Sequence, residues 1–302
     1  MTAQDRYDAL DRLPLTPVGQ SGRSWLGMWA SIKDIFAHRE MLGLMVRRDI
    51  KARYKDSALG LVWTLVRPLT QLAIYYLVLG VFLNARAGIP DFAVYVFTGL
   101  TAYGLFSEIV GGGTASIIGN SGLIKKVYLP REVFPLASVG SALFNFAIQM
   151  VILIAASLLL GSEPITWQVL YFIPSVLVLL VWATALALLL SAWNVYLRDV
   201  QYLVEVVIML MLWASPIVYS WSAVQNVAGN NIFGTLYSAN PVTLAVMGFQ
   251  RAFWPIGATL DTPHSPDNLL LRLIIALVVG LVALFLAQRV FARLQGNFAQ
   301  AI

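Results

Sequence analysis

Long apolar runs separated by short polar joints dominate this chain. Six of them are long enough to cross a bilayer as helices: Leu61–Leu83, Phe92–Thr114, Val133–Leu160, Val169–Trp193, Leu203–Trp221 and Leu269–Gln288. The first, of 23 residues, spans about 35 Å at roughly 1.5 Å per residue, against a hydrocarbon core of about 30 Å. None alternates apolar with polar positions as a lipid-exposed barrel strand must, so the pattern predicts helices. The expected fold is an all-α integral membrane domain of six transmembrane helices over residues 59–302. An amphipathic interface helix at 29–58 precedes it, and a flexible cytoplasmic tail at 1–28 precedes that.

Composition agrees. The chain is 59% hydrophobic and 12% charged, with a mean hydropathy of +0.76, whereas a soluble domain carries about a quarter charged residues. Sixteen of the twenty Lys and Arg fall in the termini and the even-numbered joints (1–60, 115–132, 194–202 and 289–302), and the other joints hold only Arg86 and Arg251. Basic residues stay on the cytoplasmic side, so both termini are expected there. That asymmetry accounts for the net charge of +5 without a nucleic-acid partner. Ten basic residues and no signal-type apolar core occupy the first sixty positions, so no processed leader is expected.

Three polar segments carry further information. In 29–58, Trp29, Ile32 and Phe36, then Leu42, Val46 and Ile50, recur at helical spacing, while Arg47, Lys51 and Lys55 follow another face. Such a helix would lie in the cytoplasmic interface, with apolar residues in lipid and cations near anionic headgroups, or against a partner protein. Within 117–129, the stretch Leu123–Tyr128, bracketed by Gly122 and Pro130, reads as a short cytoplasmic helix. The plainer reading is a positive-inside loop satisfied by Lys125, Lys126 and Arg131. The external segment 222–268 has apolar pieces too short to cross, interrupted at Asn240-Pro241 and Gly257. These suggest re-entrant half-helices, or a loop folded on the bilayer surface.

Chemistry-bearing residues are few. The absence of cysteine removes thiolate and disulfide chemistry, and His38 and His264 stand in no metal-binding spacing, so no metal site is expected. An integral-membrane transferase would need clustered acids or a His/Asp pair. Only Glu108 and Glu205 lie inside spans, and Asp5, Asp8 and Asp11 sit in the tail. A secondary transporter or channel would mark its ion path with intramembrane charges, but those present sit nearer span ends and read as structural pairs. Arg67 and Glu108 each lie six residues inside a cytoplasmic span end, a depth of roughly 9 Å. They are expected to pair, with Glu205 as the alternative partner for Arg67. None of the five lysines follows a glycine, so the phosphate-cradling P-loop is missing.

The stretches ARYKDSALGLVWTLVRPL entering the first span, NSGLIKKVYLPREVFPLA after the second, WNVYLRDVQYLV before the fifth, ASPIVYS ending it, and SANPVT with Arg251 occur in one order from Arg53 onward. Together they resemble the membrane (permease) subunit of ATP-binding-cassette exporters of polysaccharides, the class that moves lipid-linked O-antigen, capsule, teichoic acid or galactan chains. The resemblance implies a homodimer in the bacterial inner membrane, driven by two copies of a cytosolic ATPase. ATP and magnesium would be held on that partner, and this chain would carry no cofactor and no catalytic residue. It also implies that Leu123, Ile124, Lys125, Lys126, Tyr128 and Arg131 couple to the ATPase, with the 29–58 helix as a second contact. An exporter of drugs or lipids sharing the six-span architecture is the alternative.

A polysaccharide cannot cross between purely hydrocarbon walls, because its hydroxyls would lose water without replacement. Aromatic rings can stack on the apolar face of a sugar, and Tyr and Trp keep a polar edge for its hydroxyls. Tyr75, Tyr76, Phe82, Tyr103, Phe106, Trp213 and Tyr219 are the candidate lining residues. Packing and interfacial belts are the competing explanation. The belt accounts least well for Tyr75, Tyr76, Tyr103 and Trp213, which lie deep in their spans.

Overall fold

The computed structural model describes residues 33, 37–54, 62–82, 84, 88–126, 129–159, 166–229, 231–259 and 265–298. The expected tail at 1–28 lies outside them. Within the described residues the regular structure is entirely helical. In chain order the helices are α1 (Arg39–Tyr54), α2 (Val62–Tyr75, continuing as a π-helix Tyr76–Phe82), α3 (Phe92–Gly119), α4 (Ser121–Ile124) and α5 (Val133–Leu159). Then follow α6 (Phe172–Tyr196, entered through a 3₁₀ turn Trp167–Tyr171), α7 (Val200–Trp213), α8 (Trp221–Ala228), α9 (Ile232–Ala239), α10 (Pro241–Phe253) and α11 (Leu269–Leu294, ending in a 3₁₀ turn Gln295–Asn297).

Among the described residues four helical stretches are long and apolar enough to cross a membrane: Phe92–Gly119, Val133–Leu159, Trp167–Tyr196 and Leu269–Asn297. Their burial identifies the solvent around them. Phe92–Gly119 is the least apolar of the four, and 78% of its most apolar window is buried; Leu269–Asn297 is the most apolar, and only 22% of its window is buried. Water would reverse that order. Lipid explains it, because a helix facing hydrocarbon must be apolar outward while a helix enclosed by protein can carry Thr98, Thr101, Thr114 and Ser116.

Helix α3 is the hub, with α5, α6, α7 and α10 packed around it. Small residues permit the closest crossings. A Cβ on Gly113 would overlap Ala187 of α6 and come within 3.1 Å of its Cα, so the two backbones nearly touch. The threonine hydroxyls of α3 are satisfied within the helix: Thr98 Oγ1 donates to Val94 O (2.7 Å), Thr101 Oγ1 to Phe97 O (2.8 Å) and Thr114 Oγ1 to Val110 O (2.7 Å). No polar group of these side chains is therefore left to hydrocarbon.

Two expected spans take a different form. The first run is helical over Val62–Phe82, with Pro68 inside α2 and a π-helical second half. The run Leu203–Trp221 is not one helix: α7 stops at Trp213 after 14 residues, about 21 Å. The chain then turns through Ser215–Ser220 before α8. Pro216 accounts for the break, since it has no N–H to continue the ladder. The freed carbonyls are recovered by side chains: Ala214 O accepts from Thr243 Oγ1 (3.0 Å), and Pro216 O accepts from Tyr95 OH (2.9 Å) and Gln250 Nε2 (2.6 Å). Tyr95 OH also reaches Tyr219 O at 2.8 Å. Irregular backbone among lipid-facing helices is tolerated on this condition, that protein supplies the partners water would have supplied.

The segment before α11 resolves into α8, α9 and α10. Helices α9 and α10 meet at 70°, where Asn240 Oδ1 caps the second through Val242 N (3.0 Å) and Pro241 stands at its first turn. Helix α10 is buried from Val242 to Gln250, wedged among α3, α6 and α11. The bent pair has the form of a broken span or a re-entrant element.

Candidate functional site

Two regions collect the residues singled out from the sequence. The first is the flank made by α2 and α7. Tyr75 and Trp213 meet edge to face, with ring centroids 6.4 Å apart. Trp213 is 51% exposed, Phe82 78%, and Tyr76 is also exposed. Beside them, Gln71 Nε2 donates to Tyr75 OH (3.3 Å), and lower on α7 Gln201 Nε2 donates to Glu205 Oε1 (3.0 Å). Glu205 is exposed and Gln201 half-buried on an otherwise apolar helix, where a charge facing hydrocarbon would be costly.

Tyr219 lies in the buried turn after α7. Its hydroxyl donates to Trp213 O at 2.5 Å, and Tyr237 OH lies 3.1 Å from it. Because the Tyr219 proton is directed to Trp213, Tyr237 is the donor between the two phenols. Tyr237 in turn packs its ring on Trp221 at 5.9 Å.

Tyr103 and Phe106 have a different environment. Tyr103 is 5% exposed and Phe106 is buried; the Tyr103 hydroxyl donates to the Ile208 carbonyl of α7. Within the subunit they are core residues that hold α7 to α3, so the sequence expectation that they face an open path is corrected to a supporting one. Helical spacing could not separate these rings from the exposed ones, because α3 has no distinct polar face to set against an apolar one.

The second region is the end where α1, α4 and the last turn of α11 meet. The expected helix over 29–58 is seen as Arg39–Tyr54; Trp29, Ile32, Phe36 and Lys55 lie outside the described residues. Met45 is buried, and Leu42 and Val46 pack with it against a small core of Ile117, Val133, Phe134, Ala192, Val195, Phe291 and Phe298. A Cβ on Gly140 would fall 2.6 Å from Val46 Cγ2, so α1 sits tightly on α5.

The expected helix Leu123–Tyr128 is corrected to a single turn, Ser121–Ile124, with Gly122 inside it rather than ahead of it. Asn120 interrupts α3, its N–H bonding back to Ile117 O (3.2 Å), and its carbonyl restarts the chain by accepting from Leu123 and Ile124 N. Leu123 and Ile124 pack on the small core, which turns the exposed Lys125 and Lys126 outward. Arg131 stands over the Phe298 ring, 5.6 Å from its centroid. Tyr128 lies outside the described residues.

Arg48 Nη2 donates to Asn120 Oδ1 at 2.7 Å, and Arg53 Nη1 donates to Glu108 Oε1. Asn145 Nδ2 reaches the same Glu108 oxygen at 2.5 Å. Since α3 continues to Gly119, Glu108 lies eleven residues, about 16 Å, from its end. Among the described residues the cation reaching it comes from α1. The side chain of Arg67, the partner expected from the sequence, lies outside the described residues.

Among the described residues no three His, Cys, Asp or Glu side chains group as a metal site would require.

The ABC-2 type transporter family matches residues 40–254, a stretch that runs from α1 to the end of α10. The chain is 30% identical over 271 residues to the O-antigen export system permease protein RfbA of Myxococcus xanthus, covering 90% of this chain and 98% of that one. It is 24% and 25% identical to two O-antigen export system permease proteins RfbA of Klebsiella pneumoniae, each over 87% of this chain and 95% of the relative.

Proposed function

Since the chain belongs to the ABC-2 type transporter family, we propose that it is the transmembrane subunit of an ATP-driven polysaccharide exporter. The observation that carries this reading is the similarity to O-antigen export permeases along nearly the whole of both chains. In the exporter two copies assemble in the bacterial inner membrane with both termini cytoplasmic. Two copies of a separate cytosolic ATPase bind and hydrolyse ATP with magnesium, and a lipid-linked polysaccharide crosses to the outer side.

The geometry suits such a division of labour. Lys125 and Lys126 offer the ATPase a cationic contact, and the Leu123–Ile124 side of the same turn passes any displacement to the small core beneath. Helix α1, held to α3 by Arg48 and Arg53, moves with that core and lays its exposed Arg47 and Lys51 near anionic headgroups. The Tyr75, Tyr76, Phe82 and Trp213 flank faces the path, with Tyr219 at its outer end and Tyr103 and Phe106 behind it.

Reconstitution of the chain in proteoliposomes with the ATPase from the neighbouring gene is the test. ATP-dependent movement of lipid-linked polysaccharide across the bilayer is the expected result. Transport or ATPase stimulation by lipids or small amphiphiles alone, with none by the polymer, would replace this reading with that of a lipid or drug exporter. ATP hydrolysis by the isolated chain would overturn the division between subunits.

A further inference from the structure

A cavity of about 480 Å³ opens between α8, α9 and the start of α11. Its wall combines Trp221 with Gln225, Thr235, Asp267 and Arg272. Arg272 is fixed in place, its Nε donating to Asp267 O (3.0 Å) and Nη1 to Ser238 Oγ (3.4 Å). Those bonds use two of the five N–H donors that a guanidinium carries. The Asp267 carboxylate only accepts, the Gln225 amide does both, and the indole of Trp221 offers an apolar surface.

That mixture fits one kind of ligand. A lipid tail would strand the polar wall, and a simple anion would meet the Asp267 charge. A saccharide carries hydroxyls that donate and accept together with an apolar C–H face, and the volume lies within the about 300 to 1,000 Å³ typical of small-molecule sites.

A series of contacts also joins the cavity wall to the aromatic flank. Tyr75 touches Trp213 (6.4 Å between centroids), Trp213 O takes the Tyr219 hydroxyl, Tyr219 and Tyr237 join through their hydroxyls (3.1 Å), and Tyr237 packs on Trp221 (5.9 Å). The series runs from the middle of α2 to the cavity wall without a missing contact.

We propose that this cavity is a saccharide-binding site at the exit of the path, which takes a short stretch of the emerging chain and disfavours its return. The inference rests on the exporter reading and on the external placement of 222–268. The natural chain has no cysteine, so Thr235→Cys introduces a single thiol. In spheroplasts this thiol should react with a membrane-impermeant maleimide. In nanodiscs holding the complex, polysaccharide released from the host's surface by mild acid should slow the reaction at least fivefold. Adding Gln225→Ala and Asp267→Asn, both exposed positions, should abolish that protection. Labelling only after permeabilisation, or a rate indifferent to the polysaccharide, would overturn the site. Polymer-stimulated ATP hydrolysis, measured on the same samples, separates the two levels. If it persists without protection, the exporter stands and the site falls; if both are absent, both fall.

Discussion

Arg53 of α1 donates to Glu108 of α3, joining a helix with exposed Arg47 and Lys51 to the most enclosed of the four long apolar helices. From Arg48 to Arg53 the anchors advance five residues along α1, while their partners step from Asn120 back to Glu108 along α3. At about 1.5 Å per residue that is roughly 7.5 Å against 18 Å. Long arginine side chains make up the difference, which is why Glu108 can sit so deep and still be neutralised. Helix α1 therefore belongs mechanically to the bundle.

If the pair works as a unit, Arg53→Ala and Glu108→Gln should not add. Arg53 is about half exposed, so the coupling energy should be only about 1 kcal/mol. Melting temperatures of the wild type, both single variants and the double variant measure it, and strictly additive losses would show the contact to be incidental.

Lys126→Glu should leave melting temperature within a degree or two and reduce the ATPase activity gained on assembly, because that side chain is exposed beyond the packed Leu123 and Ile124. Leu123→Asp should act in the opposite order, lowering stability first, since Leu123 packs on the small core. Equal loss of stability in both variants would argue against an outward cationic contact.

Trp213→Ala and Tyr75→Ala should slow export in a graded way, about 1 kcal/mol per lost stacking ring, with little change in melting temperature for the half-exposed Trp213. Tyr103→Ala should instead cost about 3 to 5 kcal/mol of stability as a buried cavity. Tyr103→Phe, losing only the bond to Ile208, should cost about 1 kcal/mol. Export per folded molecule and melting temperature, measured on the same four proteins, distinguish path from core. Normal export by the Trp213 and Tyr75 variants would remove the flank from the path.

Gly113→Val should disrupt the α3–α6 crossing, because even a Cβ there meets the Ala187 backbone. Overpacking of about 1 to 3 kcal/mol is expected, read as lower melting temperature and lower yield in the membrane fraction. A paired Ala187→Gly should recover part of it, and failure to do so would mean that the helices are not in register at this point.

Much of the molecule was legible in one dimension. Apolar run length marks α3, α5, α6 and α11 because a helix must be about 20 residues long to cross hydrocarbon, whatever it packs against. The breakers Pro216 and Asn240-Pro241 stood in the sequence too, and the first of them shows why Leu203–Trp221 is not one helix: proline withholds a donor wherever the chain places it. The tertiary structure decided the rest, for a single reason. In a helix without a distinct polar face the sequence carries little record of which side is enclosed, so Tyr103 in the core and Trp213 on the flank look alike until α7 is seen lying on α3. Charge partners obey the same limit. Depth along a span identified Glu108 as needing a cation, but any of several arginines would have answered, and it was the docking of α1 through Val46 and Gly140 that brought Arg53 within reach.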